Sequence, residues 1–274
     1  MPRAIYILAP APVSVRQESN RAGNQSHIGD IDQHRVDTVV PVWYAPWMST
    51  AYRYKEIASQ WDRIGGLSSP SKMPCPSSSL PAWDCQSGSK MARKAGTTCS
   101  DCYALKGAYV WPTTRAAMDR RLAALASSTW AQDFADVLNC HHDRRAHDVF
   151  RWHDSGDIQS YEHLERIAKV ARLTPNVRHW LPSKEYTWLR RYVATPPILQ
   201  KVATPDNLVI RVSAVFVDGK PPQWAKPAGL TTSTVHSELP VIGLECPAPK
   251  QGGKCLDCRA CWEPAVDNVS YKKH

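Results

Sequence analysis

Between Asp148 and Val217 short apolar runs alternate with amphipathic segments, and that alternation restricts the chain to a small set of folds. DVFRWHDSGD reads as a strand ending in a turn, SYEHLERIAKVARLT as a helix capped by Ser160, and NVRHWLPSK as a second strand. EYTWLRRYVA predicts a second helix, NLVIRVSAV a third strand with a β-branched core, and TTSTVHS a further short strand. Elements of this length in this order predict parallel pairing through crossover helices. The expected fold class is therefore α/β, a partial or complete β/α (TIM-like) barrel carrying a C-terminal cysteine-rich, cluster-binding segment. No GxGxxG turn follows any strand, which argues against an open dinucleotide-binding sheet.

Upstream, TTRAAMDRRLAALASSTWAQDFADVLNC predicts one or two helices with Thr113 or Thr114 as the cap. SSPSKMPCPSSSLPAW, residues 68–83, reads as loop. VVPVWYAPWMSTAYRYKEIASQW, starting at Val39, reads as a strand followed by a helix, and residues 1–40 as a polar, flexible extension. Three regions result: an N-terminal extension over 1–70, a barrel-like core over 71–245, and a cysteine-rich segment over 246–274. A chain of 274 residues buries enough surface to fold without disulfide staples. Prolines interrupt the apolar run of MPRAIYILAPAPVSV, and no apolar segment reaches the roughly 20 residues of a membrane span. The expected location is the cytoplasm, with no membrane partner.

Nine cysteines, most of them closely spaced, favour a reducing compartment and thiolates used as ligands. Cys255, Cys258 and Cys261 form CxxCxxC, with Cys246 nine positions upstream. Cysteines at successive intervals of three suit a cubane iron–sulfur loop; zinc more often takes two CxxC pairs across a longer spacer and stands as the alternative. In the earlier group Cys99 and Cys102 are a tight pair, Cys85 completes a three-thiolate site, and Cys75 is either a fourth ligand or a bystander. Three protein ligands leave one iron of a cubane open to a substrate or cofactor, whereas four close it. Cys140, in NCHHDRRAH with His141, His142 and His147, reads as a helix residue near a cationic helix end in preference to a metal site.

In parallel α/β sheets functional groups collect beyond the carboxyl ends of the strands. That rule selects His153, Asp154, Ser155, Gly156 and Asp157 after one strand, Ser183 and Lys184 after the next, Ser213 after the third, and Ser233, Thr234 and His236 on the last. Asp157, His153 and Lys184 are the catalytic candidates; Ser155, Gly156, Asp157, Arg211 and Ser213 are the cofactor-binding candidates. Asp154 and Ser155 also read as caps of the turn, Lys184 as a solvated lysine, and His236 as a satisfied core histidine. Arg211, inside an apolar strand, has to be paired or face a polar cavity. Trp152 and Trp180, on neighbouring strands, are candidates to wall a pocket for a flat ring. The net charge of +9 favours polyanionic partners, nucleic acid among them.

CSDCYALKG, RWHDSGD, NLVIRVSAV and CLDCRACW resemble the bacteriophage gene product 88 family over roughly residues 70–274, a resemblance that implies no particular reaction. The layout also resembles the radical S-adenosylmethionine superfamily. That second resemblance implies a [4Fe–4S] cluster on Cys85, Cys99 and Cys102, with its open iron chelating S-adenosylmethionine. It implies that Ser155, Gly156 and Asp157 stand in for the superfamily's glycine-rich acidic turn, and that Cys246, Cys255, Cys258 and Cys261 hold an auxiliary cluster. The chain departs from the superfamily's CxxxCxxC by a thirteen-residue gap between Cys85 and Cys99, and carries Asp101 where an aromatic residue is usual. The expected function is an iron–sulfur enzyme of a phage-infected cell acting on a nucleotide, a nucleic-acid base or a small metabolite. The alternative is a nucleic-acid-binding protein stapled by zinc or closed clusters, without catalysis.

Overall fold

The computed structural model describes residues 57–145, 147–196, 204–238 and 240–273. The polar extension and the strand expected after Val39 lie outside the described residues; of the helix expected to follow, α1 (Ala58–Arg63) lies within them. Seven strands follow in chain order: β1 (Ser77–Ser78), β2 (Val149–Trp152), β3 (Arg178–Ser183), β4 (Leu208–Val217), β5 (Thr231–His236), β6 (Leu244–Glu245) and β7 (Asn268–Lys272). They form one all-parallel sheet in the order β1-β2-β3-β4-β5-β7-β6. The class is α/β, as expected. The complete barrel is not formed among the described residues, since β1 and β6 each pair with a single strand and the sheet stays open.

The helices are α2 (Gly88–Met91), α3 (Pro112–Ala124), α4 (Trp130–Arg145), α5 (Tyr161–Leu173) and α6 (Tyr186–Ala194). The Ser160 hydroxyl caps α5 by accepting the His163 N–H at 3.1 Å. α3 begins at Pro112, ahead of the expected cap at Thr113 or Thr114, because proline's fixed φ and missing N–H suit the first helical position. β1 lies inside the stretch expected to be all loop. Its two serines are buried and strand-paired to Arg151 and Trp152, so polar composition concealed it. The C-terminal segment also supplies strand: β7 enters the sheet between β5 and β6.

Strand alternation divides the side chains between two faces. Phe150, Trp152, Leu181, Leu208, Ile210 and Val212 face the helices and share a core with Trp130, Phe134, Leu164, Ile167 and Leu189. Each large apolar side chain fully buried there contributes roughly 1.5–3 kcal/mol. Val149 and Trp180 face the other way, into a smaller cluster with Cys75 and Trp262. The expected wall of Trp152 and Trp180 is therefore absent. Trp180 pairs with Arg151, one residue out of step, which sends the two indoles to opposite faces.

Three histidines, His153, His163 and His179, are buried beneath the helices. Burial lowers all three, His163 and His179 to about 3 and His153 well below the usual imidazole range. His179 accepts from the Trp152 indole N–H at 3.2 Å and lies 2.8 Å from the Thr174 hydroxyl, so its ring belongs to the packing. In the unfolded chain these rings titrate near 6.5, so that state binds more protons between about pH 3 and 6.5. Stability is fully present above about pH 6.5 and falls as the pH drops below it. Urea titrations are expected to be level from pH 7.5 to about 6.5 and, from there to pH 4.5, to approach a loss of about 1.4 kcal/mol per pH unit for each such ring. His179→Gln should reduce that slope by about one ring's share.

Candidate metal centre and its strand-end frame

The loop from Ser79 to Val110 carries Cys85, Cys99 and Cys102 and contains only short helical turns, so its conformation is set by what it is tied to. Each cysteine is tied to a different strand end. Beside Cys85, the N–H and hydroxyl of Ser87 both donate to the buried Glu185 carboxylate beyond β3, at 2.7 Å each. Beside Cys99, the Thr98 N–H donates to the Val215 carbonyl at 2.8 Å, and the Val217 N–H donates to the Gly96 carbonyl at 3.0 Å, both at the end of β4. Beside Cys102, the Tyr103 hydroxyl donates to the Asp154 carbonyl, while the Tyr109 hydroxyl donates to its carboxylate at 3.1 Å, just past β2.

The three cysteines converge. The sulfurs of Cys85 and Cys99 lie 3.4 and 3.9 Å from the position a Cβ on Gly88 would take. Cys85 is within electrostatic reach of Asp157, Cys102, Cys99 and Glu185, and Cys99 within reach of Lys184, Cys102 and Asp157. Burial raises the thiol pKa of both, with Lys184 opposing it at Cys99. Thiols held protonated in this way are poor nucleophiles, and a bound metal would deprotonate them. Among the described residues no three Cys, His, Asp or Glu side chains surround a single ion.

The turn after β2 is built closely against β1. The Leu80 N–H donates to the Ser155 carbonyl at 2.8 Å, and the Ser155 hydroxyl donates to the Leu80 carbonyl at 2.9 Å. Gly156 has φ +79°, and a Cβ there would sit 2.6 Å from that of Leu80, so glycine is required. Asp157 accepts from the N–H of Ile158 at 2.8 Å and of Lys184 at 2.9 Å. Burial pushes it up to about 6 against those hydrogen bonds. Ser155 and Gly156 thus build the turn, while Asp157 and Lys184 stand beside the thiols.

The other candidates part company. His153, with φ +52°, turns its ring toward the helix layer, 5.4 Å from that of His163, away from the catalytic place expected for it. Ser213 accepts a hydrogen bond from the Ser233 hydroxyl at 3.0 Å and, through its carbonyl, one from Tyr186 at 2.6 Å. His236 lies 2.8 Å from the Ser270 hydroxyl and 3.7 Å from the Glu245 carboxylate. Arg211, expected at a cofactor, is fully buried and donates to five main-chain carbonyls: Cys261, Thr232, Val266, Ala260 and Glu263. All five of its N–H groups are engaged, so it shapes the C-terminal cysteine loop and has no donor left for a ligand.

That loop gathers the second thiol group. Cys255 is within reach of Cys246 and Cys258, and Cys261 within reach of Cys246. Cys75 joins this group and lies apart from the first: it packs with Trp262 and Cys261, and its nearest thiol influence is Cys255. The Cys255 N–H donates to the Lys72 carbonyl at 3.1 Å, joining the two loops. Burial pushes Cys75 and Cys261 up to about 12. Arg151 stands between the groups, 4.6 Å over the Trp180 ring, donating to Tyr103 at 3.3 Å and to the Met73 sulfur at 3.2 Å. Cys140, inside α4, is buried, as expected for a packed thiol.

A family profile described as Gene product 88 matches residues 47–264, most of the chain. The chain belongs to the Gene product 88 family. Comparison with curated proteins and with solved structures gave no match. The Gene product 88 match spans both thiol groups and the strand ends between them, and stops short of β7. Among the described residues of this family member, no helix is long and apolar enough to cross a membrane.

Glu185, Tyr103, Tyr109 and Arg151 escaped sequence reasoning. Their signal was adjacency to Lys184, Cys102 and the β2 strand end, which spacing alone does not interpret. Glu185→Ala is expected to abolish hydrogen-exchange protection over residues 85–91 while β3 and β4 keep theirs, because it removes both bonds to Ser87. Arg211→Met strands five carbonyls and should destabilise the fold by roughly 3 kcal/mol or more; Arg211→Lys should recover only part, since an ammonium lacks the planar fork.

Proposed function

We propose that this chain is an iron–sulfur protein of radical S-adenosylmethionine-like type, acting on a nucleotide, nucleic-acid base or small metabolite. The observation that carries the reading is the convergence of Cys85, Cys99 and Cys102, each tied to a different strand end, beside Asp157 and Lys184. A parallel sheet running in sequence order from β1 to β5, with helices on one face, is also what a partial β/α barrel requires. What supports a cluster is the donor set: three half-buried thiols with a cation alongside and no fourth cysteine from the neighbouring loop.

When bound, a [4Fe–4S] cluster with one iron free of protein ligands supplies a chelation site for the amino and carboxylate groups of S-adenosylmethionine and an electron for its cleavage. Cys85, Cys99 and Cys102 would hold that cluster. Asp157, its oxygens already fixed by two N–H groups, retains lone pairs for an ammonium group. Lys184 offers a cation for a carboxylate. Cys246, Cys255, Cys258 and Cys261, with Cys75 beside them, form the second centre.

A second reading has a specific observation in its favour. Five thiols about one loop, braced by Arg211, suit a closed site, zinc or cluster, that staples a binding protein. Metal analysis of anaerobically purified protein separates the two. The expected result is brown protein containing iron and sulfide, with Cys99→Ser and Cys255→Ser each losing about four irons. Reduced, cluster-replete protein should convert S-adenosylmethionine to 5′-deoxyadenosine. Stoichiometric zinc without sulfide would overturn the cluster reading; intact clusters without cofactor cleavage would remove the radical assignment alone.

A further inference from the structure

The loop and helix that carry the first thiol group also present an unusual outer surface. Residues 86–125 hold seven Lys or Arg against two carboxylates, Asp101 and Asp119, which is more than half of the chain's net +9. Of those cations all but Arg121 are exposed. Exposed rings lie among them: Trp111 is 62% exposed and Tyr103 52%. Trp111, Arg115 and Leu122 are spaced four and seven residues apart, so they share one stripe of α3. The Arg115 guanidinium lies 4.3 Å over the Trp83 ring. At the far end of the stripe a cleft of about 520 Å³ opens between Leu122, Trp83, Lys90 and Gln159, with Cys85 in its wall. That volume falls in the range of small-molecule sites.

Cations alternating with exposed aromatic faces match a single strand of nucleic acid, whose phosphates need neutralising and whose unpaired bases stack on flat side chains. A duplex keeps its base faces hidden and gains nothing from Trp111. We propose that the track from Trp111 along α3 binds a single-stranded nucleic acid and delivers one base into the cleft beside Cys85. This names the substrate class of the site proposed above, and it rests on that reading only for the reaction carried out there. The ligand chemistry, a flat base bearing phosphate, is shared with free mononucleotides; the strand is favoured because the cations extend well beyond the cleft.

The test is fluorescence anisotropy of the full chain with a labelled single-stranded 12-mer across a salt series. Wild-type protein is expected to prefer the single strand over the matching duplex. Trp111→Ala should weaken single-strand binding about tenfold, in line with the loss of one base–aromatic stack. Lys90→Gln with Lys94→Gln should flatten the log–log salt slope by about 0.7 for each phosphate contact removed. Lys169→Gln with Lys226→Gln, an equal charge change on α5 and beside β5, should leave both unchanged. Trp111 is mostly exposed, so its replacement should keep the melting temperature. Three results would each overturn the proposal: no single-strand binding at low salt, equal response to both lysine pairs with Trp111→Ala silent, or mononucleotide competing as well as the strand. Because the titration needs no metal, the two failures are distinguishable: strand binding by protein that holds stoichiometric zinc and no sulfide would sink only the cluster reading, and iron and sulfide without strand binding would sink only this one.

Discussion

The hydrogen bonds that fasten the Ser79–Val110 loop to three successive strand ends are the constraint on which the rest depends. A segment with so little regular structure has no core of its own, and left alone it would leave its cysteines at unrelated positions. The parallel sheet supplies the fixed points, because its strands all finish at the same rim. Glu185, the Val215–Val217 backbone and Asp154 each take one part of the loop, and the thiols converge as a result. Sheet register, set by apolar burial far below, thereby determines sulfur positions above.

Much of the fold was legible because its signals are local. The strands β2, β3 and β4 are apolar runs, α5 has its serine cap, and β5 is β-branched. β1 and β7 were not legible: Ser77–Ser78 is buried through hydrogen bonding rather than apolar character, and Asn268–Lys272 follows a cysteine loop that commands attention first. The site was legible in its ligand types and only partly in its geometry. Arg211 was rightly expected to be paired, but its partners are carbonyls some 50 positions away in sequence, which no local pattern announces. Cys75 was ambiguous by spacing, since it is nearer in sequence to Cys85 and nearer in space to Cys255 and Cys261. His153 lies on the helix side for a conformational reason: a positive φ at a non-glycine residue reverses the direction that strand alternation assigns.

The two thiol groups are separated by a guanidinium. Arg151 is held by an indole face, a phenol and a thioether, none of which neutralises it fully. Its charge therefore acts on the second group, lowering the proton affinity of Cys75, Cys255 and Cys261 against the effect of burial. A cationic residue at that point favours the thiolate form of those three cysteines.

Strand β7 lies between β5 and β6 although it follows both in sequence. Until β7 docks, β5 has a bare edge and the Cys246–Cys261 loop is unclosed. The loop becomes a ring of fixed size only when Asn268–Lys272 slots into place and ties Cys246 to Ser270. The geometry of the second thiol group is thus coupled to a strand that follows it: without β7 the sheet would display an open edge and the four cysteines would lose their common anchor.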